Sequence, residues 1–310
     1  MEFFRQTNFN FIGVRKATYA FSIITMVLSI IYLVLNGGPN YGIDFTGGTS
    51  IHLKFSNTTE PAQIRSAISD AGFGDAEIKH IGNAAENTYI IRVGLTSVDT
   101  EAGDIIQREL DANLADHPNE ILSVTQIGPK IGGELRMAAI YSVLVGLLGM
   151  LIYISWRFEF KFAIGAVVAL FHDVVFVLGI YTLAGFEFSL TALAAFLTIV
   201  GYSINDTIVV YDRIRENIKI MRREPLDKIM NISVNQTLSR TLLTGVSTLV
   251  VLFVLFFMGG EVIHGFAFAL FVGTLIGTYS SVYVASVLAL DWQNYLDAQK
   301  QKKTAARLAR

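Results

Sequence analysis

Long apolar segments dominate the hydrophobic pattern of the chain. Six of them carry few or no charged residues, and each is long enough to cross the hydrocarbon core of a bilayer, which takes about 20 residues in a helix. The pattern therefore predicts six transmembrane helices. They cover residues 17–35, 137–154, 162–184, 190–211, 237–258 and 264–290.

A shorter-period pattern fills the block between the first and second apolar segments. Thr49–Phe55 alternates apolar and polar residues as a half-buried strand does, whereas Ile64, Ala67, Ile68 and Ala71 recur at helical spacing. The order of elements is β-α-β-β-α-β, which predicts a ferredoxin-like α+β domain. Its strands are expected at residues 49–55, 77–81, 88–93 and 121–127, and its helices at residues 59–72 and 101–115.

Composition agrees with a membrane protein that carries one polar domain. The 310 residues are 52% hydrophobic and 16% charged, which is typical of the membrane class. Residues 36–137 hold seven basic and fourteen acidic side chains, a net charge of −7, although the whole chain has a net charge of −2. An acidic domain is therefore joined to a basic membrane part. The absence of cysteine excludes disulfides and thiolate metal sites.

Basic residues mark every second connection between the apolar segments. Lys and Arg occur in the N-terminal tail, at 157–161, at 212–233 and after 291, whereas 185–189 and 259–263 have none. By the positive-inside rule, both termini are expected in the cytosol and the α+β domain outside. The expected order is a cytosolic tail (1–16), the first transmembrane helix (17–35), the external domain (36–136), five transmembrane helices (137–290) and a cytosolic tail (291–310).

The N-terminal region leaves two questions open. The first apolar segment is expected to be an uncleaved anchor, because it is long for a signal peptide and Asn36-Gly37-Gly38-Pro39 offers no Ala-x-Ala cleavage site. The aromatic tail before it is expected either to lie on the membrane surface or to be unstructured.

Three charged residues lie inside predicted spans: Asp173, Asp206 and Arg240. The spans of Asp206 and Arg240 run in opposite directions, and at 1.5 Å per residue both side chains fall roughly 7–10 Å to the cytosolic side of the bilayer centre. A charge at such depth is costly, so we expect the two to pair. The pair is either a static lock or a switch in which protonation of Asp206 releases Arg240.

Polar neighbours of these charges are candidates for supporting roles. His172 precedes Asp173 and is either a proton relay or a hydrogen-bonded helix contact. Tyr202 and Ser203 share the helix face of Asp206 and are expected to hydrogen-bond its carboxyl group or a water, whereas Asn205 points elsewhere, toward a neighbouring helix.

Glycines mark two further features. Gly273 and Gly277 form a small-xxx-small pattern, which predicts contact with another membrane helix in this chain or in a partner. At the membrane exit, Gly42, Asp44, Gly47 and Gly48 form a turn-rich junction that would suit a hinge.

The sequence contains no phosphate loop, metal-ligand cluster or nucleophile–base arrangement, so we expect neither an enzyme nor a cofactor. The basic connection at 212–228 lies beside the membrane, which favours lipid headgroups over nucleic acid as its partner.

Four motifs in order resemble the SecF family, the smaller membrane subunits of bacterial SecD–SecF protein-export complexes: GIDFTGGT (42–49), RFEFK (157–161) leading to His172-Asp173, GYSINDTIVVYDRIREN (201–217) and SRTLLTG (239–245). The resemblance covers nearly the whole chain. It implies an inner-membrane protein of the resistance-nodulation-division superfamily that forms half of a pseudo-symmetric bundle with SecD.

The resemblance also implies partners and a mechanism. SecD, the SecYEG channel, the SecA motor and the translocating polypeptide are the expected partners. Proton-motive force would act at the intramembrane aspartate and the arginine of the SRT motif, which correspond to Asp206 and Arg240. Na⁺ stays open as the coupling ion, since carboxylates serve either ion. Two other functions also stay open: a passive membrane scaffold and a half-unit of a proton-driven efflux transporter.

Overall fold

The computed structural model describes residues 7–81, 87–94, 102–158 and 160–308. Residues 1–6 of the predicted tail, Glu101 at the start of a predicted helix and Glu159 of the RFEFK motif lie outside these ranges. The described chain forms a membrane part and an α+β domain inserted after the first long helix, as the sequence predicts.

Within the described ranges, six segments are long and apolar enough to span a bilayer, which confirms the predicted number. Several helices continue past their apolar stretch into the polar connections, and the last one continues into the predicted C-terminal tail as far as Leu308. The helices are α1 (Arg15–Leu35), α5 (Pro129–Arg157), α6 (Phe160–Leu183), α7 (Leu190–Ile220), α8 (Leu226–Met258), α9 (Glu261–Ser280) and α10 (Ser286–Leu308).

Burial distinguishes central from peripheral helices. Half of the most apolar stretch of α6 and of α7 is buried inside the chain, compared with 11% for α1 and α5. The two peripheral helices therefore present apolar side chains outward, as expected of surfaces that meet lipid or another membrane protein. Gly273 and Gly277 of α9 pack against α7, since a Cβ at either position would meet Ile199 or Ser203. This confirms the predicted contact face and assigns it to a helix of the same chain.

The α+β domain has the predicted order of strands and helices. Its four strands form an antiparallel sheet in the order β2-β3-β1-β4, and both helices cover one face, where Ile51, Ile64, Ile91, Ile106 and Leu110 are fully buried. The elements are α2 (Ile43–Thr46), β1 (Gly48–Phe55), α3 (Pro61–Ile68), β2 (Glu77–Ile81), β3 (Thr88–Val93), α4 (Ala102–Asn113) and β4 (Asn119–Ile127).

The described part of the N-terminal tail packs against the helix bundle, so the expectation of an unstructured segment was wrong for these residues; contact with the membrane surface stays a prediction. Phe11 and Ile12 are buried in the core of the helix bundle. The Asn235 side chain of α8 accepts a hydrogen bond from Phe9 N and donates one to Phe9 O, both at 2.8 Å, and Asn231 Nδ2 donates to the same carbonyl at 3.0 Å. Two asparagines one turn apart, Asn231 and Asn235, bind the backbone of this described segment.

Candidate functional site in the membrane helices

Asp206 lies inside the helix bundle on α7 and is 4% exposed. Among the residues that the structure describes, none hydrogen-bonds its buried oxygen Oδ2. Buried polar atoms are almost always paired with protein or water, so an orphan oxygen at this position marks Asp206 as a functional candidate.

Arg240 does not form the expected ion pair with Asp206 in this structure. The guanidinium interacts electrostatically with Asp206, but no nitrogen–oxygen distance between these two described residues falls within 4.0 Å. Arg240 is exposed on the outer side of α8, whereas its neighbour Thr241 is 1% exposed and has no described partner for its hydroxyl. The structure therefore holds the two charges on neighbouring helices but apart.

Asp173 is the better bonded of the two intramembrane acids. It is fully buried, and its Oδ2 accepts hydrogen bonds from Ser203 of α7 and Ser280 of α9, each at 2.6 Å. Nδ1 of His172 lies 3.0 Å from Oδ1 of Asp173, while Nε2 of His172 has no partner among the described side chains. Asp173 thus joins α6, α7 and α9 through one carboxyl group.

The three polar residues considered as supports for Asp206 point in three different directions. Ser203 donates to Asp173 rather than to Asp206. Tyr202 faces α8, where its hydroxyl oxygen lies 3.9 Å from the position of a Cβ on Gly245. Asn205 points away from Asp206 as predicted, but it is exposed on the outside of the bundle rather than turned to a neighbouring helix of this chain.

A π-helical turn at Ser281–Ala285 separates α9 from α10, and the sequence reasoning missed it. Ser281 Oγ lies 3.0 Å from Thr207 Oγ1, Ser286 donates to the Ser281 carbonyl at 2.9 Å, and Tyr211 donates to the Ala285 carbonyl at 3.0 Å. Such turns often occur at functional sites. The only available signal was the group of serines at 280, 281 and 286 in an apolar segment.

The glycine-rich junction binds the start of α7. Asp44 Oδ2 accepts a hydrogen bond from Leu190 N, the first residue of that helix, at 2.7 Å. Gly42 N donates to Phe188 O at 3.0 Å, and Phe188 N donates to Asn40 O at 2.6 Å. The helix that carries Asp206 is therefore fastened at its other end to the base of the α+β domain.

Gly47 and Gly48 are tightly packed within this junction. Gly48 has a φ of +131°, and a Cβ there would lie 2.4 Å from the Val93 carbonyl oxygen, which excludes larger residues. Gly47 approaches α5, since a Cβ on Gly132 would lie 2.9 Å from Gly47 N. Whether these glycines act as a hinge stays a prediction.

Together these features define a multi-pass membrane protein that holds two buried carboxyl groups in its bundle and links one of their helices to an α+β domain. The profile described as "Protein export membrane protein SecD/SecF, C-terminal" matches residues 108–295, and the "SecD/SecF GG Motif" matches residues 32–59. The second match contains the junction.

Sequence similarity to other proteins covers nearly the whole chain. A "Protein translocase subunit SecF" from Desulfurispirillum indicum is 44% identical over 297 residues, covering 93% of this chain and 94% of the relative. A SecF subunit from Vibrio alginolyticus is 45% identical over 279 residues, covering 89% of this chain and 87% of the relative. The chain belongs to the SecD/SecF family and, within it, to the SecF subunits.

A solved structure shares the fold. The crystal structure of SecDF, a translocon-associated membrane protein from Thermus thermophilus, superposes with a TM-score of 0.83 at 40% identity, and the match covers 93% of this chain but 39% of that one. This chain therefore spans about two fifths of the longer SecDF chain.

Proposed function

We propose that this protein is an accessory subunit of the protein-export translocase and that it uses proton movement through its membrane helices to drive polypeptide across the membrane. Its relatives are named as translocase subunits, which supports a role in export and a non-enzymatic one.

The observation that carries the proposal is the buried, unsatisfied carboxyl oxygen of Asp206 on a helix bound at its other end by Asp44. An ionised carboxylate without a partner at this depth would cost about 2.5–3.5 kcal/mol. The separated arrangement of Asp206 and Arg240 therefore fits a protonated carboxyl group. Loss of the proton would draw the guanidinium toward Asp206, because the arginine cannot lose its own charge.

The helix α7 is the element that would transmit this change. Asp206 lies 16 residues after Leu190, about 24 Å along the axis at 1.5 Å per residue. Because Asp44 holds Leu190, a shift of α7 would move the junction and tilt the α+β domain. Asp173, whose carboxyl group is fully bonded, would act as the fixed point that holds α7 against α6 and α9, with His172 beside it as a relay candidate.

A SecD partner follows from the comparison with the longer chain. The Thermus protein carries the matching region within a SecDF chain, so we propose that a separate SecD subunit supplies the remaining half of the bundle here. Gly201, Asn205 and Arg240 are exposed at mid-membrane positions, which makes this face a suitable contact for SecD.

The remaining assignments complete the proposal. SecYEG, SecA and the translocating polypeptide are proposed as the other partners. The inner membrane is the proposed location, with both termini cytosolic and the α+β domain on the outer side. Basic residues at 212–228 would meet lipid headgroups.

The passive-scaffold alternative is less well supported, because a static lock requires a direct Asp206–Arg240 pair and these described residues do not form one. An efflux half-unit is also less well supported, because the relatives are named as translocase subunits.

The test compares Asp206→Asn with Asp212→Asn in vesicles that contain the complete export machinery. Asp212 lies on the same helix but is 45% exposed and ion-paired with Arg157 at 3.0 Å. We expect Asp206→Asn to abolish the part of polypeptide transit that an imposed proton gradient stimulates, together with proton flux reported by an internal pH dye. Asp212→Asn should keep both.

Two outcomes would decide against the proposal. Retained gradient-stimulated transit in a folded Asp206→Asn protein would remove Asp206 from the mechanism. Stimulation by a Na⁺ gradient alone, with the proton gradient collapsed, would assign the coupling to Na⁺.

A further inference from the structure

A charged cluster joins the α+β domain to the connection between α6 and α7. Glu187 in that connection is 15% exposed at its side chain. Its Oε1 accepts a hydrogen bond from the Arg92 guanidinium of β3 and lies 3.5 Å from Lys79 Nζ of β2. The cluster therefore crosses from the membrane part to two strands of the domain.

The cluster contains a second carboxyl group, that of Glu77 on β2. Its Oε1 lies 2.6 Å from Lys79 Nζ, and its Oε2 lies 3.6 Å from Arg92 Nη1. The carboxyl groups of Glu77 and Glu187 therefore share Lys79 and Arg92 as partners. Two carboxyl groups held at the same pair of cations disfavour each other's ionisation, so the cluster favours the binding of one proton.

We infer that Glu187 and Glu77, together with Arg92 and Lys79, form a proton-binding clasp that holds the α+β domain on the α6–α7 connection more tightly at acidic pH than at alkaline pH. Its meaning for export rests on the proposed function, because it regulates the domain motion invoked there. The clasp itself uses no residue of the intramembrane site.

The direction of the pH effect follows from the docked state. Burial, followed by the hydrogen bond with Glu77, raises the pKa of Glu187 to about 7. Burial also works to raise the pKa of Glu77, but hydrogen bonds with Glu187 and Lys79 outweigh it and hold that pKa below its usual value. A group whose pKa is higher when docked stabilises docking at low pH, and this stabilisation is lost as the pH rises through the docked pKa.

The size of the effect depends on Glu187. With a docked pKa of about 7 and an ordinary glutamate pKa when undocked, the docking equilibrium should fall about tenfold between pH 6 and pH 8. Because the pKa of Glu77 is lowered, Glu77 changes its protonation at more acidic pH. Of the two acids, Glu187 is therefore the one that titrates between pH 6 and pH 8.

The other polar and titratable side chains around Glu187 do not tighten docking at low pH. Burial, and then the positive charge of Arg92, lower the pKa of His52 on β1, which is opposite in direction to the shift of Glu187. Asp44 is occupied by Leu190 N, and Tyr181 of α6 donates to the Glu187 carbonyl at 3.0 Å. A cavity of about 540 Å³ between the sheet and the connection gives the domain room to move.

The experiment measures the distance between domain and bundle as a function of pH. The chain has no cysteine, so spin labels can be placed at Arg108→Cys on α4 and Met258→Cys on α8, both exposed. The full chain, co-expressed with SecD and held in lipid nanodiscs, is examined by electron paramagnetic resonance at pH 6 and pH 8. We expect the ratio of docked to undocked distances to fall about tenfold on going to pH 8.

Two variants separate the clasp from general pH effects. Glu187→Gln keeps an acceptor for Arg92 and a donor for Glu77, so the docked ratio should stay constant between the two pH values. Glu120→Gln, an exposed acid on β4, should respond as the unmodified protein does. If Glu187→Gln does not fold, Glu77→Gln should weaken the pH response without abolishing it, because burial, the largest cause of the raised pKa of Glu187, remains.

An unchanged ratio in the unmodified protein, a ratio that rises with pH, or a response that persists in Glu187→Gln would each overturn the clasp. Asp206→Asn should keep the pH response even where it abolishes export coupling. Loss of the response in that variant would show that the membrane site controls the domain and would also overturn the clasp, whereas failure of the proposed function alone leaves the response intact.

Discussion

Replacing Ser280 by Ala should destabilise the helix bundle more than replacing Ser286, although both serines are fully buried in the same membrane segment. Ser280 donates to Oδ2 of Asp173 at 2.6 Å, whereas Ser286 donates to the backbone carbonyl of Ser281 at 2.9 Å. Both substitutions remove a buried hydroxyl oxygen. The difference between their losses in free energy of unfolding therefore reflects the acceptor of each hydrogen bond.

The magnitude follows from the charge on that acceptor. If Asp173 is ionised, its hydrogen bond with Ser280 contributes about 1.5–3 kcal/mol, whereas a neutral hydrogen bond contributes about 0.5–1.5 kcal/mol. Ser203 still donates to the same oxygen after the change, so the carboxyl group is not left without partners. Ser280→Ala should therefore lower the free energy of unfolding by about 1 kcal/mol more than Ser286→Ala does.

Reversible unfolding of the full chain in mixed micelles of increasing dodecyl sulfate content gives both free energies. Equal losses for the two variants would refute the reasoning, because they would mean that Asp173 is not an anionic acceptor joining α6 to α9. A larger loss for Ser286→Ala would instead place the critical hydrogen bond in the π turn.

Two further substitutions test other parts of the fold. Gly48→Ala should destabilise the α+β domain by about 3 kcal/mol, because its Cβ would lie 2.4 Å from the Val93 carbonyl oxygen. Gly133→Ala, with open space around it in helix α5, should be stabilising by up to about 1 kcal/mol when both variants are compared by thermal unfolding; similar losses would contradict this. Asn235→Ala removes two hydrogen bonds to Phe9 and should speed hydrogen exchange of residues 7–14 roughly tenfold. Unchanged exchange would mean that other contacts hold the segment.

Much of the architecture could be predicted because its signals are local. Apolar segments near the length of a bilayer define the spans, and strict alternation in Thr49–Phe55 defines a strand whose neighbours complete the sheet. The small residues Gly273 and Gly277 likewise indicated a close helix contact, which the structure assigns to α7.

The partners inside the site could not be predicted in the same way. Ser203 and Asp206 are three residues apart on one helix face, but that face is wide enough to meet two neighbours, and only the packing shows that Ser203 turns to α6. The π turn changes the phase of the last helix by one residue, so a 3.6-residue period assigns the serines around it to the wrong directions. Glu187 meets strands 95 residues or more away in sequence, and no local pattern indicates such a contact.

The N-terminal segment carries a consequence for biosynthesis. Phe9 and the asparagine that binds it are 226 residues apart, and at about 5–20 residues per second a ribosome needs roughly 11–45 s to make the intervening chain. During that time the aromatic tail has no α8 to bind. Its docking therefore comes late in assembly, so protection of residues 7–14 in a pulse-labelled nascent chain would report that the fifth membrane helix has reached its place.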